Sequence, residues 1–143
     1  MNRVKIISVL VFDQDRAIEF YTQKLGFEVL EDKPFGDSRW VTISLPKGRD
    51  LTLALELAKT DDDKAIVGRQ AGSHALLGLD TSDCIGDYQR MKALGVKFLG
   101  EPQSGPWGAG VQCEDLYGNK IFLSQESRAE SRAESRAEPR AEP

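Results

Sequence analysis

Apolar positions in the first part of the chain change period in a fixed order, and that order occurs twice. An apolar segment over 4–11 comes first, and the triplet Asp13-Gln14-Asp15 then signals a helix start. Ala17, Ile18, Phe20, Tyr21 and Leu25 follow at helical spacing until Gly26 ends the pattern. Three strand-like runs come next, at 27–30, 40–45 and 51–57. The second half repeats this: an apolar segment at 75–79, a start signal Thr81-Ser82-Asp83, then Ile85, Tyr88, Met91 and Leu94 on a helical stripe closed by Gly95. Its strand-like runs are 96–99, 109–113 and 120–123. Leu25-Gly26-Phe27 and Leu94-Gly95-Val96 mark the same joint, 69 positions apart. The pattern predicts an α+β fold of two tandem βαβββ modules, about 3–58 and 73–125, in one domain over 1–126. Phe20, Tyr21, Phe27 and Phe98 are core by period.

Between the modules, 59–72 holds Asp61-Asp62-Asp63 and Gly68-Arg69-Gln70-Ala71-Gly72, which reads as an exposed crossover. The triple aspartate is expected to be a solvated loop rather than a cation site. Residues 127–143 form an SRAE repeat with equal numbers of arginines and glutamates, so the net charge of −4 belongs entirely to 1–126. Period four stacks like charges at i,i+4, and no apolar stripe is available for burial beyond alanine. The tail is expected to be flexible or transiently helical.

Charge and composition narrow the partners. The acidic balance argues against nucleic acid, which needs a clustered cationic face. No apolar run reaches the roughly 18 residues of a membrane span, and no signal-peptide core follows the N-terminus. Cys84 and Cys113 are too few for a disulfide framework, so a cytoplasmic setting is expected. A small-molecule partner fits best.

The repeat, with FDQDRAIEFYTQKLGFEV early and EDLYGNKIFL late, resembles the vicinal oxygen chelate superfamily over 3–125. That superfamily contains glyoxalase I, bleomycin-resistance proteins, fosfomycin-resistance proteins and extradiol dioxygenases. The resemblance implies one curved mixed β-sheet with a ligand in its concavity, and a homodimer. It also implies up to one divalent metal (Mg, Mn, Ni, Zn or Fe) held by His, Glu, His and Glu on equivalent strands. Those positions fall on Ile6 (or Lys5), Glu56, His74 and Phe122, so two of the four carry a ligand type. The family's usual proline before the final turn is replaced by Leu116.

Strand alternation places the same residues independently. Leu51, Leu53, Leu55 and Leu57 make one face, which leaves Thr52, Ala54 and Glu56 on the other. By the same rule Trp40, Thr42 and Ser44, with Ile6, Ser8, His74, Leu76, Lys120, Phe122 and Ser124, line the concavity. Trp107, in the glycine-rich loop 103–110, is expected to sit over the opening.

Two readings stand. In the first, a glyoxalase-like lyase or related enzyme uses Glu56 and His74 as acid/base groups or as a reduced metal site. A full glyoxalase I site and the two-His-one-carboxylate triad of an extradiol dioxygenase are disfavoured, since His74 is the chain's single histidine. In the second, a metal-free, antibiotic-sequestering cup uses Ser8, Trp40, Thr42, Trp107 and Phe122, and the acidic charge favours a cationic ligand. Cys84, beside Asp83 in the first turn of the second helix, is not expected to be catalytic.

Overall fold

The expected order of elements is present in the computed structural model, which describes residues 1–127. Strand β1 (Ile6–Val11) leads to helix α1 (Gln14–Glu19), continued by a π-helical turn at Phe20–Lys24. Strands β2 (Glu28–Phe35), β3 (Ser38–Ser44) and β4 (Thr52–Leu57) complete the first module. After helix α2 (Asp61–Ile66) come β5 (Ala75–Asp80), α3 (Cys84–Ala93), β6 (Lys97–Phe98), β7 (Gln103–Gly105), β8 (Gly108–Glu114) and β9 (Lys120–Glu126).

Each module closes a hydrogen-bonded sheet of its own, so the expected sheet is divided in two. The first has the order β1-β4-β3-β2 and the second β5-β9-β8-β6, with β7 on β8. The same permutation in both is the structural form of the sequence repeat. In the first sheet β1 runs parallel to β4 while β2 and β3 are antiparallel, so it is mixed. Contacts divide the chain into two compact units. The first is Met1–Leu76 with Asp115–Lys120; the second, among the described residues, is Leu77–Glu114 with 121–127. The expectation for the SRAE tail falls, after Ser127, outside the described residues.

Helices α1 and α3 start and stop as their sequences demand. The Asp13 carboxylate accepts from the Arg16 amide at 3.0 Å, and that of Asp83 from the Gly86 amide at 3.0 Å. Each bond satisfies a donor that the first helical turn leaves open. Gly26 and Gly95 take φ of +83° and +90°, the left-handed conformation of a helix exit.

In the first unit Val9, Val11, Val41, Ile43, Leu53 and Leu55 form one buried face, against Ala17, Phe20, Tyr21 and Phe27. Tyr21 is fully buried, with Phe20 and Phe27 each edge-on at 5.4 Å. Its hydroxyl donates to Asp115 at 2.7 Å. Asp115 also accepts from the amides of Tyr117 (2.9 Å) and Asn119 (3.0 Å) and from Asn119 Nδ2 (2.8 Å). This buried carboxylate, which no ion pair among the described residues engages, is thus compensated by four donors.

Three expectations are corrected. Strand β2 does not end near residue 30 but runs to Phe35, through Glu31, Asp32, Lys33 and Pro34. It is an edge strand, where charges and proline are tolerated because one side of its backbone needs no partner. The crossover is not a solvated loop, for Asp61, Asp62 and Asp63 form the first turn of α2. Thr60 accepts from the Asp63 amide at 3.0 Å, and the carboxylates lie at the positive end of the helix. After it the Gln70 amide bonds to β1, accepting from Leu10 N at 2.6 Å and donating to Ser8 O at 3.1 Å. Finally, 103–110 is no loop over an opening but a tight β7–β8 hairpin, Gly105 opposite Gly108, with Trp107 in the turn.

Candidate functional site

Strands β3 and β4 are paired at Ile43↔Leu53 and Thr42↔Ala54. Towards the β2–β3 hairpin each keeps its outer partner, β4 on β1 as far as Val11↔Leu57 and β3 on β2 as far as Phe35↔Ser38. Between them the gap is bridged by a side chain: Gln14 Nε2 donates to Leu55 O at 2.8 Å and to Arg39 O at 3.0 Å. A cavity of about 520 Å³ opens there, lined by Phe35, Arg39, Trp40, Glu56, Lys59 and Gln14 among others. Trp40 and Glu56 come from one face of the sheet and Arg39 from the other, which is possible only where two strands separate.

The aromatic wall is held from behind. Trp40 Nε1 donates to Glu31 at 3.0 Å, and Thr42 Oγ1 donates to the same oxygen at 3.1 Å. Lys33 pairs with the other Glu31 oxygen at 3.1 Å. These donors hold the Glu31 carboxyl below the usual range, the Trp40 bond contributing most. The ring of Phe35 lies 6.3 Å from that of Trp40, inclined by 49°. Arg39 is clamped by Asp32 and Asp15, each at 2.8 Å. That clamp lowers the Asp32 pKa and raises that of the guanidinium. Lys59 Nζ donates to Ser38 Oγ. The Glu56 carboxylate accepts from Ser8 Oγ.

Among the expected site residues, the structure therefore brings Trp40 and Glu56 to one cavity, with Ser8 bonded to Glu56. Thr42 is buried, its hydroxyl spent on Glu31. His74 lies just before β5, is exposed, and forms no hydrogen bond or ion pair with Glu56. Trp107 and Phe122 belong to the second unit, where both lie over Gly110. A Cβ built on Gly110 would stand 2.6 Å from Phe122 Cζ and 3.2 Å from Trp107 Cη2. Gln14, Phe35, Arg39 and Lys59 were not among the expected residues. In the sequence Gln14 stands out only as the middle of the helix-start triplet Asp13-Gln14-Asp15.

The donor set for a metal does not fit. Ile6 and Phe122 occupy two of the four positions, His74 stands off its strand, and the described residues hold no group of three or more His, Cys, Asp or Glu able to bind an ion. Cys84 is buried, and burial with Asp87 and Asp83 pushes its thiol pKa up, which disfavours the thiolate.

Residues 3–123 match the family model of the Glyoxalase/Bleomycin resistance protein/Dioxygenase superfamily, and the chain belongs to that superfamily. An uncharacterized protein of Shewanella frigidimarina is 40 % identical over 121 residues, 83 % of this chain and 90 % of that one. YetH of Bacillus subtilis is 34 % identical, over 88 % of this chain and 99 % of its own. Among solved structures, TnmS3, an antibiotic binding protein from Streptomyces sp. CB03234, superposes with a TM-score of 0.72 at 35 % identity. That match covers 89 % of this chain and 98 % of TnmS3. No described helix is long and apolar enough to cross a membrane.

Proposed function

We propose that the protein binds a planar, drug-sized organic molecule in the cavity between β3 and β4 and holds it without chemical change. The observation that carries this is the wall. Trp40, its nitrogen satisfied by Glu31, and Phe35 beside it offer ring surface to a space of about 520 Å³. Pockets of about 300–1,000 Å³ suit such ligands, and aromatic faces favour planar ones by stacking. The antibiotic binding of TnmS3, at 35 % identity, supports the same reading. Cys84 and Cys113 are both fully buried and too few to form a disulfide framework, in keeping with a reducing, cytoplasmic setting.

A second reading has its own support: Glu56 lines the same cavity and is suited to acid/base work in a glyoxalase-like lyase. One experiment separates them. A panel of planar aromatic antibiotics is screened by fluorescence on a Trp107→Phe background, so that Trp40 reports. Each binder is then incubated with protein and recovered for mass spectrometry. Binding with the compound recovered intact, and affinity changed by less than about tenfold in Glu56→Gln, supports the binder. Conversion that disappears in Glu56→Gln establishes the enzyme instead.

A further inference from the structure

Gln14 is 92 % buried, with 8 % of its surface exposed, yet it lines the cavity. Both hydrogens of its amide nitrogen are committed, to Leu55 O at 2.8 Å and Arg39 O at 3.0 Å. Two carbonyl partners allow only one orientation of the amide, since an oxygen in that place would face two other oxygens. The carbonyl oxygen Oε1 therefore has a fixed place. No group among the described residues donates to it, and it is not one of the sealed, unpartnered polar atoms of the interior. An acceptor of this kind is met by water in the empty cavity and by the ligand in the filled one.

We propose that Gln14 Oε1 is a specificity-determining acceptor that selects aromatic ligands carrying an O–H or N–H donor at the ring edge. The inference rests on the binding reading above and goes beyond it by naming the chemistry the cavity reads. Trp40 cannot supply that contact, because its indole N–H is a donor only and is already committed to Glu31. Nor does Oε1 need to reorganise on binding, because Nε2 is anchored to two strands, so little entropy is lost when a donor meets it. A ligand that places an apolar atom there leaves a buried acceptor without a partner and is disfavoured.

A matched pair of probes tests this. The affinities of 7-hydroxycoumarin and 7-methoxycoumarin are measured by calorimetry at pH 6.5, where the phenol is largely protonated. Wild type is expected to prefer the hydroxyl compound by about tenfold. In Gln14→Met, which removes both functions of the amide, the ratio is expected to fall to about one. Gln14→Lys supplies the second control, because its ammonium can still donate to Leu55 O and Arg39 O while offering no acceptor. It should lose the preference as well and keep the fold if the Met variant does not. Equal affinities in wild type, or a preference that survives in both variants, overturns the role of Gln14 and leaves the binding reading standing. Failure of both coumarins to bind wild type removes the aromatic cavity reading and this inference together.

Discussion

The indole nitrogen of Trp40 and the carboxylate of Glu31 are joined across neighbouring strands by a 3.0 Å hydrogen bond. The bond spends a charge from an edge strand on fixing the plane of a cavity wall. Glu31 thus acts on the site through Trp40, and its titration should be visible there.

In a Trp107→Phe variant, the emission of Trp40 is expected to be constant at neutral pH and to shift as the solution is acidified. The folded carboxyl titrates below its unfolded value, near 4.3. Its contribution to stability is therefore complete above that value and is lost as pH falls through the lower, folded one. Glu31→Gln, which keeps an acceptor, should retain most of the wild-type spectrum, whereas Glu31→Leu should not. A spectrum unmoved by acid and by Glu31→Leu would show that the bond does not orient the ring.

Removing the Tyr21 hydroxyl, by Tyr21→Phe, is expected to cost about 1–2 kcal/mol, since it leaves a buried carboxylate one donor short. Asp115→Ala strips the partner from four donors and should cost on the order of 4 kcal/mol. Urea unfolding with an unchanged slope measures both. A Tyr21→Phe midpoint equal to wild type would place the anchoring elsewhere.

Gly110→Ala puts a methyl group into the rings of Phe122 and Trp107. A destabilisation of about 1–3 kcal/mol is expected, together with a red shift of Trp107 emission in a Trp40→Phe background. If stability and emission both stay at wild-type values, the glycine is not what seats the two rings.

The parts of the fold legible in the sequence were those with strong local chemistry. Asp13, Asp83, Gly26 and Gly95 each solve a problem at one helix end, and a short motif suffices to announce it. Strand β2 was legible only to about residue 30, because past that point it obeys the rules of an edge, where Glu31 to Pro34 mimic a loop. Helix α2 was hidden for a related reason: three aspartates suggest solvent unless Thr60 is recognised as the cap before them. Alternation placed Trp40 and Glu56 on a shared face, and both do line the cavity. It gave no hint of Arg39 or Gln14, since a cavity between separating strands draws on both faces and on a helix start. Such a gap depends on where pairing stops, which no residue declares by itself.

The grip of Gln70 on Ser8 and Leu10 bears on how the protein survives in a crowded solution. A strand at the margin of a sheet is a template onto which another chain can add. Along β1 the template is already occupied by a side-chain amide that copies one backbone unit, offering an acceptor to Leu10 and a donor to Ser8. At the opposite margin β2 presents Asp32, Lys33 and Pro34. An invading strand would have to evict a glutamine on one side and bury charges on the other, and the first sheet is thereby guarded against self-propagating association.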